Sequence, residues 1–304
     1  MNTNRKYKIR YDRIIAVTGI FILIIIIIAT ALNRASSGKK DDPKKTASSS
    51  SSSSSSSEVD SNGGGTVEKV SKSNDEVKTG NLILVNDANP YTIPATPTAT
   101  VIKDSLIERH YYVVDNEVAL NPEALTSLNS FMDGYYGAKG SEDIRVIDSY
   151  RNGLTDTKSE MITGLSFNIG IRIDANSSTQ YTPTDKYAWV TDNCQNYGFI
   201  ERYPDTKTDK TGRPASFSHF RYVGVPHAVY MKEHTLCLEE YLDLVKGYQF
   251  IGNRLEIAVG EKKYEVYYEP MNTVDVVTEI HIEPNRSYTI SGNNVDGFIV
   301  TVEV

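Results

Sequence analysis

Cys194 and Cys237 are the only cysteines in the 304-residue chain, so it can close at most one disulfide. Two readings stand. An extracytoplasmic domain invites the bond, and otherwise each thiol packs separately as a small hydrophobe. Positive charge is also short, with 32 Lys and Arg against 39 Asp and Glu for a net −7. Residues 1–32 hold five basic side chains and one acidic, +4, so −7 less +4 leaves −11 for the rest. A surface of that sign repels nucleic acid and anionic wall polymers, which excludes a nucleic-acid partner. No G-x-S-x-G motif and no internal repeat occur, which removes the nucleophile-elbow hydrolases and the solenoids.

Apolar residues are scarce between Asn33 and Gly80, where KKDDPKK is followed by ten serines at Ser48–Ser57 and by Gly63-Gly64-Gly65. Such a stretch cannot offset the entropy of ordering, so 33–80 reads as a disordered linker spanning roughly 35–40 Å as a flexible coil. What precedes it is the opposite. Ile14–Leu32 is an uncharged apolar run with five consecutive isoleucines, close to the ~20 residues that cross a bilayer as a helix. Five basic residues before it favour a cytoplasmic tail at 1–13, and no A-x-A-like site closes the run as a cleaved signal would. The expectation is a single-pass protein of the cell membrane with its C-terminal domain extracytoplasmic.

From Asn81 the chain is patterned. Asn81–Asn86 reads as a short buried strand, and Tyr111–Val114 as another. Asn121 followed by Pro122 and Glu123 is a strong helix start, with Leu125, Leu128, Phe131 and Tyr135 as its buried stripe and Gly137 near its end. Leu165, Phe167, Ile169, Ile171 and Ile173 alternate with Asn168, Gly170, Arg172 and Asp174 as in a half-buried strand. Thr184 or Asp185 caps a helix with Trp189, Val190, Cys194 and Tyr197 on its apolar face, and Gly198 closes it. Strands are expected at Phe199-Ile200 and Phe220–Val223, and a last helix at Leu236–Lys246. From Phe250 on, the pattern is β.

Two stretches carry chemistry. One is Ser159-Glu160-Met161, with Gly164 and Asn168 following; the other is Ser216-Phe217-Ser218-His219 within the longer run Tyr197–Gly224. Together they resemble the SxHxxGxxxD and ExxH frame of the VanY-type zinc D-alanyl-D-alanine carboxypeptidases, which trim peptidoglycan stem peptides. The resemblance implies an α+β fold: a small mixed or antiparallel sheet with packed helices over 81–249, a β-rich C-terminal appendage at 250–304, and the N-terminal transmembrane helix. It places Met161 and Asn168 where the family has its first two zinc ligands, and Ser216 where it has its catalytic Glu. His219 is the only retained ligand. It also makes Arg151, in Ser149-Tyr150-Arg151, the residue that meets substrate negative charge, with Ser159 and Tyr203 as further binding residues. Only Asn152–Lys158 separates that Arg from the first motif, shorter than the family's usual helical segment.

A catalytic zinc takes three protein ligands and keeps one position for water. A thioether suits copper(I) better than zinc, and a neutral amide does not offset the ion's charge. Asp174, some 20 Å along the strand from Asn168 at about 3.3 Å per residue, is too far to rescue the site. His227 and His234 lack a route inward, and Glu201 is the nearest substitute. Ser216 cannot shuttle a proton alone, and its odd spacing from His219 argues against a dyad. The expectation is therefore an inactive pseudopeptidase with no cofactor, binding stem peptide or a cell-wall protein. The alternatives are an active metallo-carboxypeptidase with a re-sited zinc and a structural scaffold.

Overall fold

Asn121 starts a helix as expected. Its side chain accepts the Glu123 N–H at 2.9 Å, and helix α1 runs Pro122–Lys139. Leu125, Leu128, Phe131, Met132 and Tyr135 are buried along one face. The stop is Gly140, at φ 63°, a left-handed conformation that glycine adopts without a Cβ clash. Gly137, expected near the end, remains helical.

The computed structural model describes residues 56–58, 67–94, 98–106 and 109–304. The cytoplasmic tail expected at 1–13, the membrane helix expected at 14–32 and most of the expected linker lie outside these residues. Among the described residues no helix is long and apolar enough to cross a membrane. The described residues cluster as one unit.

Strands are numbered along the chain. Two short pairs come first: β1 (Ser56–Glu58) lies on β2 (Val67–Ser73), and β3 (Thr100–Val101) on β5 (Ala119–Leu120). The central sheet has the order β4-β6-β7-β10-β9, where β4 is Tyr112–Val113, β6 Ile144–Asp148, β7 Ser166–Arg172, β9 Phe199–Tyr203 and β10 Ser216–Tyr222. Only β4–β6 is parallel, and β8 (Ser178–Gln180) hangs on β7. This is the mixed sheet with packed helices expected from the sequence. Phe167, Ile169, Phe199 and Phe220 bury one face against α1 and against Trp189, Val190, Cys194 and Tyr197, which span α2 (Ala188–Asn193) and the 3-10 turn after it. Ile173 ends the alternation and is 65 % exposed.

After the one-turn helix α3 (Thr208–Thr211), helices α4 (Val225–Glu233) and α5 (Leu238–Val245) build a second core with the C-terminal sheet. That sheet runs β11 (Leu255–Val259), β12 (Lys262–Pro270), β15 (Gly297–Glu303), β14 (Tyr288–Gly292). Ile200 and Val223 of the central region share this core with Leu255, Val266 and Ile299, so apolar packing is continuous across residue 250.

Two expectations change. The linker does not extend to Gly80: β2 pairs in six rows with β13 (Val277–Ile282), about two hundred residues later in the chain. The polar run VEKVSKS carries no local signal strong enough to reveal that pairing; Val67 and Val70 pack on a third cluster with Ile280 and Val300. Asn81–Asn86 is buried and alternates, Leu82 and Leu84 toward one core and Ile83 and Val85 toward the other, yet it joins no sheet. Its backbone is satisfied singly instead. Leu82 N–H donates to Ser291 Oγ and Leu84 N–H to the Asn293 carbonyl, while Arg221 donates to the Asn81 and Ile83 carbonyls.

Candidate functional site

Asn168 sits in the middle strand of a three-strand row, with Asp148 of β6 on one side and His219 of β10 on the other. Met161 is buried in the 3-10 turn Glu160–Thr163, with Ser159 as the residue before it, and Gly164 at φ 69° delivers the chain into β7. Ser216 begins β10 opposite Tyr203, and the Tyr203 ring lies 4.9 Å from the His219 ring. The structure thus gathers Asn168, Ser216, Tyr203 and His219 around the start of β10, with Met161 on the turn leading into β7.

Ser216 and His219 are not held on opposite faces by strict strand alternation, although their spacing implies it. The register of β10 on β9 shifts between Ser216 and Phe220, and such a bulge breaks strict alternation of faces. The dyad is absent for a different reason. The Ser216 hydroxyl pairs with Ser218 at 3.4 Å, and His219 Nε2 is buried with no hydrogen-bond partner. Asn168 Oδ1 is likewise buried and unpartnered.

Beneath this row lies a charge cluster that the sequence reading missed. Glu160 is wholly buried; it accepts from Arg202 Nε at 2.8 Å and from the Ser166 hydroxyl at 3.3 Å, and Arg221 Nη1 lies 3.3 Å away. Arg202 also forks onto Glu239 at 2.6 and 2.9 Å. Two guanidiniums meet two carboxylates, so the cluster is neutral as long as His219 is. Burial pushes the Glu160 carboxyl up, but Arg202 and Arg221 outweigh it and hold it low. Burial lowers His219 to about 4; Glu160, 4.0 Å from Nε2, opposes this, and the two arginines reinforce it. Burial raises the Tyr203 hydroxyl to about 12. At neutral pH the site therefore presents a neutral imidazole, a neutral phenol and an amide. The available signal was strand spacing: with Phe220 in the core, His219 and Arg221 must share the opposite face.

This donor set does not fit zinc. Among the described residues no group of three or more His, Cys, Asp or Glu is placed to hold a metal ion. The carboxylate nearest His219 is already committed to two arginines, and a thioether and an amide supply no charge to offset the ion. The suggested substitutes lie elsewhere. Glu201 pairs opposite Phe220 on β9 and lines a separate cavity with Cys194 and Lys232. Asp174 accepts the Asn176 and Ser177 N–H groups in a surface turn. His227 is buried between Tyr241 and Thr301, and His234 is exposed against Tyr230.

Arg151 also differs from expectation. It lies near the row through Asp148, 3.8 Å away, but it is paired with Asp115 at 2.8 Å and approached by Glu117 at 3.5 Å. Its charge is already neutralised, so a substrate carboxylate would have to displace Asp115. The short segment 152–158 is tied down by Tyr91 N–H donating to the Thr157 carbonyl and by Arg213 reaching the Lys158 carbonyl. Both cysteines are free and buried, which decides against the disulfide.

Comparison with known proteins covers the same ground. Residues 147–225 match the VanY family, described as D-alanyl-D-alanine carboxypeptidase. A D-alanyl-D-alanine carboxypeptidase of Enterococcus faecium is 32 % identical over 259 residues, spanning 78 % of this chain and 81 % of the relative. One from Enterococcus faecalis is 29 % identical over 193 residues, 58 % of this chain and 70 % of that one. Among solved structures, the vancomycin-resistance D,D-dipeptidase VanXYg in complex with a D-Ala-D-Ala phosphinate analogue superposes with a TM-score of 0.67 at 25 % identity. It covers 79 % of this chain and all of its own.

Proposed function

The chain belongs to the VanY-type D-alanyl-D-alanine carboxypeptidase family, and on that premise we propose that it is a pseudopeptidase. It binds D-Ala-terminated peptidoglycan stem peptide in the family's cleft without cleaving it, and 14–32 anchors it at the outer face of the cell membrane. The observation that carries this reading is the pair of buried polar atoms Asn168 Oδ1 and His219 Nε2, which meet no hydrogen-bond partner among the described residues, in a site whose donor set cannot hold zinc. An unmet buried polar group costs about 1–3 kcal/mol, and the amide groups of a bound peptide would meet it.

Hydrolysis lacks its parts. Metal activation of water is missing, and with it general acid–base catalysis, typically worth about 10²–10⁴ in rate. The Ser216 hydroxyl meets only the Ser218 hydroxyl among the described residues, not the base a serine nucleophile needs. His219, pinned neutral by burial, can accept a hydrogen bond but is not poised to exchange a proton near pH 7.

Titration of the full chain with a stem pentapeptide ending in D-Ala-D-Ala, followed by an assay for released D-alanine, tests the proposal. Saturable binding without release is expected. Release that follows enzyme concentration would establish an active peptidase, and absence of binding would leave the scaffold reading.

A further inference from the structure

On the opposite side of β9 from the His219 row is a cavity of about 220 Å³ between that strand, α2 with its following turn, and α4. A cavity of that size has room for a small organic molecule. Its walls are mostly apolar, among them Phe199, Ile200, Met231 and Leu236, and two charges of opposite sign, Glu201 and Lys232, face into it. Glu201 is half-buried and makes no hydrogen bond or ion pair through its carboxylate among the described residues. Lys232 Nζ donates to the Thr191 carbonyl at 3.2 Å, which leaves two of its three N–H donors free. Lys207, also at the cavity, is bound to Glu240 and unavailable.

Thr235 on the rim, at φ 53°, closes α4: its N–H donates to the Lys232 carbonyl and the Leu236 N–H to the Met231 carbonyl, the paired bonds of a helix stop.

We propose that this cavity binds a free α-amino acid with a small apolar side chain. The ligand's ammonium pairs with Glu201, its carboxylate with Lys232, and its side chain lies on the apolar wall. One molecule then satisfies both charges, which neither a simple amine nor a simple acid can do. Burial raises the Glu201 carboxyl to about 7, Lys232 lowers it and Asp205 adds to the rise; an ammonium beside it would bring it back down. The Cys194 thiol, pushed up to about 12 by burial, stays neutral and takes no part.

Saturation-transfer NMR on the full chain with D-alanine and L-alanine tests this, with propylammonium and isobutyrate as single-charge controls. Saturable transfer from alanine is expected, at least about tenfold weaker in Glu201→Gln and in Lys232→Met, because a hydrogen bond to a charged group is lost. The controls should bind at least about tenfold more weakly than alanine on the same grounds. Arg151→Ala, in the cleft on the other face, should leave the titration unchanged, which separates this cavity from the cleft's own ligand. Glu201→Gln removes an unpaired charge and should melt no lower than the wild type. The proposal is overturned if alanine gives no saturable transfer at millimolar concentration, if Glu201→Gln binds as well as wild type, or if propylammonium binds as well as alanine.

Discussion

Asn168 and His219 stand directly opposite each other on neighbouring antiparallel strands, and each buries a side-chain polar atom that nothing in the described chain meets. The pair occupies the place where relatives are expected to hold zinc. The frame has kept its backbone positions while losing the charge that would bind a cation.

Restoring that charge tests the alignment. Met161→His with Asn168→Asp completes a His/Asp/His set with His219, and the double variant should gain zinc-dependent stability. At a free zinc concentration one hundred times its Kd, the gain is about 2.7 kcal/mol. The wild type should melt at the same temperature with and without a chelator. Adding Ser216→Glu supplies the proton shuttle, yet a poor enzyme is expected, since a misplacement of about 1 Å can cost 10²-fold. A wild-type melt that drops several degrees on chelation would sink the pseudopeptidase reading.

Glu160 compensates two buried guanidiniums at once. Glu160→Gln leaves Arg202 with only Glu239 and Arg221 with no carboxylate, and should cost about 3–5 kcal/mol, as breaking buried ion pairs does. Glu239, 14 % exposed, can be replaced by water, so Glu239→Gln should cost less. Urea midpoints at constant m-value give both numbers. The reverse order would mean the cluster is organised around Glu239.

His227 should remain neutral well into the acid range. Burial lowers it to about 3, and its ring nitrogens meet only the Tyr241 hydroxyl at 2.6 Å and the Thr301 hydroxyl at 3.1 Å. Because its folded pKa lies below the unfolded value near 6.5, the unfolded chain takes up the proton first. Stability contributed by this group is complete above about pH 6.5 and falls by at most about 1.4 kcal/mol per unit as pH drops toward 3. Glu201 works in the opposite sense, since its raised carboxyl favours the folded state as pH falls from about 7 toward 4.5. The His227 ring resonances should therefore show no titration between pH 7 and pH 5; a midpoint near 6.5 would place the ring in solvent.

Cys194 and Cys237 are buried, and burial pushes both thiols up to about 12. Since the thiolate is the reactive form, both should resist a disulfide-exchange reagent in the native protein and react together on unfolding in urea. A mass two hydrogens light in the native protein would instead reveal the bond.

Local signals were enough where structure is local. Asn121-Pro122-Glu123 fixed a helix start because capping uses neighbouring residues, and the 165–171 alternation marked a strand facing a core because the pleat has period two. The positions of Met161, Asn168, Ser216 and His219 were readable from the motif frame, and so was the chemistry each side chain lacks.

What the sequence determined by itself is thus the family frame, the main helices and strands, and the missing zinc ligands. What only the tertiary structure decided depends on partners far apart in the chain. Residues 67–73 found their strand about two hundred residues away, and 81–86 lost its expected sheet because a side chain of β10 and the loop at 291–293 took its backbone groups. Arg151 was neutralised by Asp115, thirty-six residues upstream. Glu160, Arg202, Arg221 and Glu239 became one cluster only when a turn, two strands and a helix met. A buried charge must find its partner in space, and spacing along the chain cannot say which one it finds.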